Sequence, residues 1–542
     1  MKQSGKQNLA KEKESGDVSR RSFLKGALAA TPVLLVGTSS TARARTPALS
    51  IGPSTTVEPY LLPNINGAKT VSMLTTGDSV GGYRMVGIPD GLGAFRSGHD
   101  EFTLLMNHEI SANPAGIARA HGSVGAFVSR WTIDAETLRV VSGQDHTPSA
   151  NHVFTWDPAA KQHRPGTTQW QRLCSADLAA PSAYFADGLG THDRIFMNGE
   201  EVTEGRAWAR IASGPHIGEA WQLPRLGRFA FENAVACPHP QEKTIVALTD
   251  DSALSTAGGP NDFPSEVYFY IGTKTRNGHP IEQAGLTNGW LYGLTILADG
   301  RPVTEESDLF GLGNATTGYI GTGRFDLHNL QDVSNLSARQ LEDASIAAGV
   351  TRVQRCEDGA WDPREGHRNN FYFVTTASMT NNCRLWHLRF DDIERPEMGG
   401  TVEILLRGDE GHRMLDNVTI DRLGRIVMDE DPGGNNRISK IWLYAIDTRE
   451  FIQVAAHNPR FFDPDSKKPE FITNDEESSG IIDAADILGD GWFLLDVQAH
   501  KPSADPELVE GGQLLALFVD PDVGLTESGN KDNRHDDNER RR

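Results

Sequence analysis

Short apolar runs, most of them alternating with polar positions and broken by Gly, Pro or Asp, recur along the chain from about residue 84 onward. A period of two predicts strands with one face buried. Four late segments share one plan: a short strand carrying an acid, a turn, a second strand that tends to end in acids, a polar loop, then an aromatic-rich alternating strand. FAFENAVACP (229–238), TIVALTDD (244–251) and EVYFYIGTK (266–274) make the first. RCEDGAWDP (355–363), NNFYFVTTAS (369–378) and CRLWHLRFD (383–391) make the second. LDNVTID (415–421), GRIVMDED (424–431) and KIWLYAID (440–447) follow, then SGIIDAADI (479–487), GWFLLDVQAH (491–500) and GQLLALFVD (512–520).

Two earlier stretches fit less cleanly. One is RMVGIPDGLGAF (84–95) with FTLLMNHEIS and AFVSRWTID, and the other is RLCSADLAAPSAYF (172–185) with RIFMNGEEV and GRAWARIA. Units that cannot bury both faces alone stack radially, so the repeats predict an all-β fold, a six-bladed β-propeller. Residues 291–351 break the plan, and NLSARQLEDASIAAG (335–349) has helical spacing, which predicts a small helical insertion between blades.

Length is compatible with one such unit: 542 residues suggest several domains on average, but all-β architectures run long. The expected boundaries are 1–44 for an export leader, 45–526 for the propeller and 527–542 for a disordered tail. The leader is read from Ser19-Arg20-Arg21-Ser22-Phe23-Leu24-Lys25, a twin-arginine pattern, with a modest apolar stretch from Ala27 to Val36 and a close on Ala42-Arg43-Ala44. That stretch is too short for a stable membrane anchor. The expected partner is the twin-arginine export machinery, and the expected destination is periplasmic or secreted. The tail, ESGNKDNRHDDNERRR, holds no apolar residue.

Charge narrows the partners. The chain carries a formal −21, and the leader is basic, so the remainder is more acidic still. Phosphate-backbone binding needs an excess of Lys and Arg, so no nucleic acid is expected.

Chemistry concentrates in the first strands. In a propeller these line the channel, which would bring Asp90, Glu232, Glu357, Asp416 and Asp483 together with Cys174. Converging carboxylates cannot all ionise unless cations sit among them. Asp90 and Asp483 are equally well explained as turn-formers. Glu232 and Glu357 are not, because Glu is depleted in strands and reaches far. Second strands add Glu109, Glu200, Glu201, Asp250 and Asp251 as hard oxygen donors suited to Ca²⁺, and a thiolate from Cys174 would suit iron beside it.

From roughly Tyr60 to Val519, the order of LLMNHE, the Cys174 segment, MNGEE, GRFAFENAVA, ALTDD, EVYFYIG, R-C-E-D-G and LDNVTIDRLGRI resembles the PhoX family of secreted bacterial alkaline phosphatases. The resemblance implies a twin-arginine-exported six-bladed propeller that hydrolyses phosphomonoesters with clustered Fe³⁺ and Ca²⁺ at one end of the channel. It implies that Cys174 and Glu201 bind iron, that Glu232 and Glu357 bridge metals, and that Arg355 contacts the phosphoryl group of a small phosphorylated substrate. Arg355 and Glu357 are accordingly the expected catalytic pair. The loop after Cys174, SADLAAPSAYFADGLG, departs from the family's Gly-rich turn and Thr-Pro-Trp-Gly stretch.

His108, His216, His239 and His500 lie near the motifs but lack paired metal spacing, and read as loop or packed histidines. Lys501 reads as a surface lysine. Cys237 and Cys356, beside the key glutamates, are candidates for a disulfide. Two other functions fit the same residues: a calcium-dependent lactonase or esterase using channel carboxylates with Asn233 or Asn417, and a non-catalytic binding protein stapled by metals.

Overall fold

The computed structural model describes residues 49–252, 263–311 and 323–525. The expected leader and tail lie outside these residues. The described chain is all-β with few helices, in mostly antiparallel sheets arranged like a propeller. The innermost strands are Pro89–Arg96, Leu173–Asp177, Phe231–Ala236, Cys356–Trp361, Leu415–Ile420 and Glu476–Asp483. Each packs against the next, and Glu476–Asp483 returns to Pro89–Arg96, so the inner strands form a closed ring.

Apolar clusters sit between neighbouring sheets. Val246 and Leu248 pack with Ile195, Met197 and Ala209 on one side. Their alternates Ile245 and Ala247 pack with Phe371, Phe373 and Trp386 on the other. The strand Lys243–Asp250 is therefore buried on both faces, and the expectation of half-buried strands is corrected for such middle strands. Burial on two faces explains why TIVAL, FYFV, RIVM and WFLL read as nearly continuous apolar runs.

Two connections were not expected from the repeats. Ala68–Thr75 pairs antiparallel with Gly511–Val519, so an early strand completes the last sheet and ties the two ends of the ring together. The stretch 291–351 carries more than a helix. Trp290–Ala298 pairs with Ser265–Thr273, and Gly323–Gln331 bridges it to Gly400–Leu406, which fuses the third and fourth sheets. The helix itself is Ala338–Ala348, opened by a capping box from Ser337 and Gln340 and closed by Gly349 at φ +74°.

Candidate metal and anion site

A single local motif builds the site around the ring. Each inner strand carries a β-bulge, between Asp90 and Leu92, Leu173 and Ala176, Phe231 and Asn233, Cys356 and Gly359, Leu415 and Val418, and Ser479 and Ile482. Bulges re-aim side chains. Just outside the bulge, the residue following the adjacent strand donates its N–H to the inner strand: Glu109 to Ile88, Glu201 to Arg172, Asp251 to Ala230, Thr376 to Arg355, Asp431 to Met414 and His500 to Asp475. An inner set (Asp90, Cys174, Glu232, Glu357, Asp416, Glu477) and an outer set (Glu109, Glu201, Asp251, Thr376, Asp431, His500) therefore share one end of the channel.

The ligand-type atoms meet in overlapping groups. Asp90, Glu109 and Cys174 lie within 4.8 Å of one another, as do Cys174, Glu201 and Glu232, then Glu232, Glu357 and Asp416, and finally Asp416, Asp431 and Glu477. The Cys174 thiol lies 3.4 Å from Asp90 Oδ2. Ser175 donates to Glu232 and accepts from Asn417 Nδ2 at 2.7 Å. Gln498 Nε2 spans Asp90, Glu109 and Glu477 at 2.8, 3.0 and 3.2 Å.

Burial dominates the electrostatics. It pushes Asp90, Glu232, Glu357 and Asp416 well above the usual carboxylate range, and neighbouring carboxylates add to the effect. Burial also carries Glu201 to about 8 against the opposing Arg172, and Asp431 to about 7 with help from Glu477. The Cys174 thiol is raised by burial and then by Asp90 and Glu232. Three cations answer this charge. Arg172 reaches Glu109 at 2.8 Å and also binds Glu201. Arg355 reaches Asp251 through Nε at 2.9 Å and Glu357 at 3.2 Å. Burial works against a charged His500, but hydrogen bonds to Glu477 and Glu510 hold its imidazolium up to about 11.

The expected residues divide cleanly. Cys174, Glu109, Glu201, Glu232, Asp251, Arg355, Glu357 and Asp416 are brought together. Glu200 is not: strand alternation turns it away, onto Arg206 at 2.8 Å. Asp250 also leaves the cluster, accepting from Ser252 Oγ at 2.6 Å. Asp483 was expected at the same end, but the last inner strand starts at Glu476, earlier than the repeat suggested, so Glu477 takes that position. Asp483 instead accepts from the Ala485 N–H at 3.0 Å. All four cysteines are buried free thiols, and no disulfide joins Cys237 to Cys356. His108, buried, bonds Ser129 at 2.9 Å, and Lys501 is exposed.

Sequence reasoning missed Arg172, Asp431, Glu477 and a role for His500. Two signals were present: Arg172 precedes Cys174 by two residues as Arg355 precedes Glu357, and Asp431 ends its second strand as Asp251 does. A separate group, His216, Glu219 and His279, also lies within 4.8 Å. Its carboxylate is saturated by His216, His279 and Trp221 at 3.0, 2.8 and 2.8 Å, so hydrogen bonding accounts for it.

The channel-end residues fit resident cations. Carboxylate oxygens in this number suit hard ions with loose geometry, and the thiol adds one softer donor. Close by, both Asp496 carboxylate oxygens, Asp429 Oδ2 and Gln498 Oε1 are buried without a hydrogen-bond partner among the described residues.

The fold and this cluster define a class of protein: an all-β, propeller-like chain with an acid-lined channel end crowned by arginines. No family model and no curated protein matches the sequence. Among solved structures, the chain is similar to Pseudomonas fluorescens PhoX in complex with vanadate, a transition state analogue, at TM-score 0.57 and 12% identity over 84% of this chain and 95% of that one. A protein of unknown function from Dyadobacter fermentans matches at TM-score 0.38 and 8% identity, covering 84% and 100%. The GH93 α-L-arabinofuranosidase of Fusarium graminearum matches at 0.38 and 9%, covering 82% and 97%. The first shares the fold; scores of 0.38 establish nothing further.

Proposed function

We propose that the protein is an exported hydrolase of phosphomonoesters on a six-bladed propeller, with Ca²⁺ and Fe³⁺ held at the acid-lined channel end. The observation that carries this reading is the chain of overlapping ligand groups from Asp90 to Glu477 with Arg355 at its edge. The fold shared with a PhoX bound to vanadate supports it. Cys174, Glu201 and Glu232 would hold the softer metal, and Glu109, Asp90, Glu357, Asp416, Asp431 and Glu477 the harder ones. Bound there, such cations neutralise phosphoryl charge and supply an activated oxygen nucleophile.

The chain's own side chains do the rest. Arg355 offers a planar fork to a phosphoryl oxygen, and its ion pairs with Asp251 and Glu357 fix that fork in place. Glu357 orients Arg355 and faces Glu232, coupling oxyanion binding to the cluster. The Ser175 hydroxyl locks Glu232, and Asn417 locks Ser175.

Metal analysis of protein folded in its native host, with hydrolysis of a chromogenic phosphomonoester before and after chelation, tests the reading. Iron plus calcium with chelator-sensitive hydrolysis is expected. Calcium alone with lactone turnover, or bound metal without turnover, would replace it.

A further inference from the structure

We propose that Arg172 is a second oxyanion-binding residue of this site, paired with Arg355, and that the two together make it select phosphomonoesters over phosphodiesters. The inference rests on the phosphomonoester-hydrolase reading above and assigns the residue that would set that selectivity.

The two arginines occupy one position of the repeated motif. Each lies two residues before an inward ligand, Cys174 or Glu357, and each carbonyl accepts the N–H that follows the adjacent strand, from Glu201 at 2.8 Å and Thr376 at 2.9 Å. Both hold positive φ, +41° at Arg172 and +57° at Arg355, a conformation that ordinary side chains avoid. Ile88 and Met414 share this motif position and a positive φ yet are buried, so it is their carboxylate partners that hold the two guanidinium groups at the rim, where the arginine side chains remain 42% and 28% exposed. Their partners are neighbours: Glu201, bound by Arg172, bridges to Ala230, and Asp251, bound by Arg355, donates its N–H to the Ala230 carbonyl at 3.0 Å.

Their hydrogen bonding is matched as well. Arg172 spends Nε and Nη2 on Glu201 and Glu109, and Arg355 spends Nε and Nη2 on Asp251 and Glu357. Among the described residues neither Nη1 has a partner, so each arginine is oriented by carboxylates and keeps donors for an incoming anion. A phosphomonoester presents three terminal oxygens and two charges, whereas a diester presents two oxygens and one charge. With one oxygen on the cations and one on Arg355, only the monoester leaves a terminal oxygen for Arg172.

The test uses metal-loaded, full-length protein and the variants Arg172→Gln and Arg172→Lys. Calorimetric titration with inorganic phosphate is read beside kcat and KM for paired chromogenic mono- and diesters, with metal content measured on each sample. Arg172→Gln is expected to weaken phosphate binding at least tenfold and raise the monoester KM similarly, with far less effect on the diester and metal content unchanged. Arg172→Lys should recover part of the affinity. Unchanged phosphate affinity, or equal losses on both esters, overturns the proposal. So does a loss of metal in parallel with phosphate affinity, because Arg172 would then act by holding Glu109 and Glu201. If the wild type binds phosphate but hydrolyses neither ester, the hydrolase reading and the selectivity fail, and a drop in phosphate affinity in Arg172→Gln still supports the clamp. If the wild type does not bind phosphate, the clamp itself falls.

Discussion

The same inner strands build both ends of the channel, yet the ends differ in what meets their carboxylates. At the far end a cavity of about 240 Å³ is lined by apolar side chains such as Leu92, Val235, Val418 and Ile481, with Asp177, Asp358 and Asp483 among them. Each of these acids is answered by N–H donors. Asp177 accepts from Ala236 at 2.9 Å, Asp483 from Ala485 at 3.0 Å, and Asp358 from Asn233, Gly359 and Val418. At the near end Asp90, Glu232, Glu357 and Asp416 converge on other acids; the Gly91 N–H and the Gln498 amide reach Asp90 and the Asn417 amide reaches Asp416, while Glu232 and Glu357 meet a hydroxyl and a guanidinium. Buried carboxylates of the first kind are turn and bulge fasteners, while those of the second kind need a cation. Side-chain type alone does not separate the two; convergence on neighbouring acids does.

The largest effect that can break this contrast is loss of the cations proposed at the near end. Glu232→Gln or Glu357→Gln is expected to cut phosphomonoester hydrolysis by at least ~10²-fold, by analogy with removal of one preorganised electrostatic group, and to lower bound metal. Metal content and steady-state rates of the purified variants check this. Wild-type metal occupancy in Glu357→Gln would dissolve the distinction between the ends.

Next comes the pH dependence of the chelated protein. Glu201, with an ordinary value of 4.5, is raised to about 8, and Asp431, with an ordinary value of 3.8, to about 7. A carboxyl raised on folding contributes its full stability below the unfolded value and loses it as pH climbs through the folded one. Stability of the metal-free protein should therefore fall between about pH 4 and pH 8. Each tenfold gain in proton affinity on folding is worth ~1.4 kcal/mol, so the loss amounts to several kcal/mol over the cluster. Denaturant melts across that window, with and without restored cations, give the measurement. A flat profile for chelated protein would show that these acids are already compensated.

How much of this contrast could be read from residues alone follows from what spacing encodes. Glu232, Glu357 and Asp416 were legible because each sits in a short strand followed by a turn, and repetition marked those strands as equivalent. Spacing did not separate Glu200 from Glu201, which the family resemblance alone distinguished, since adjacent residues point to opposite faces and the register with Leu173 decides which looks inward. Glu477 was hidden because SGIIDAADI reads as a strand by itself, while the bulge between Ser479 and Ile482 lets the strand begin three residues earlier. The pairing of Ala68–Thr75 with the last sheet was invisible for another reason: contacts between residues so distant in sequence leave no local period.

A smaller effect sharpens the far end. Asp358→Ala removes the acceptor shared by Asn233 Nδ2 at 2.7 Å, the Gly359 N–H at 2.6 Å and the Val418 N–H at 3.1 Å. Leaving buried donors unsatisfied costs ~1–3 kcal/mol each, partly relieved where water enters the cavity. A drop in Tm is expected with metal content unchanged. Metal loss in this variant would place Asp358 with the cation-binding acids despite its donors.

The smallest effect belongs to Asp483, the acid that the repeat placed at the wrong end. Its carboxylate accepts one N–H, from Ala485, where a short helical turn Ala485–Leu488 begins. Burial raises it to about 7, while that hydrogen bond and Arg422 pull the other way. Asp483→Asn keeps an acceptor oxygen and removes the buried charge, so it should leave stability nearly unchanged near neutral pH; Asp483→Ala loses the fastener and costs ~0.5–2 kcal/mol, the range of a lost helix-cap acceptor. Equilibrium denaturation of the two variants separates charge from hydrogen bonding. Neither is expected to change metal content or turnover, because Asp483 lies outside the converging near-end ligand groups; a lowered metal load in Asp483→Asn would show that the two ends share one electrostatic field.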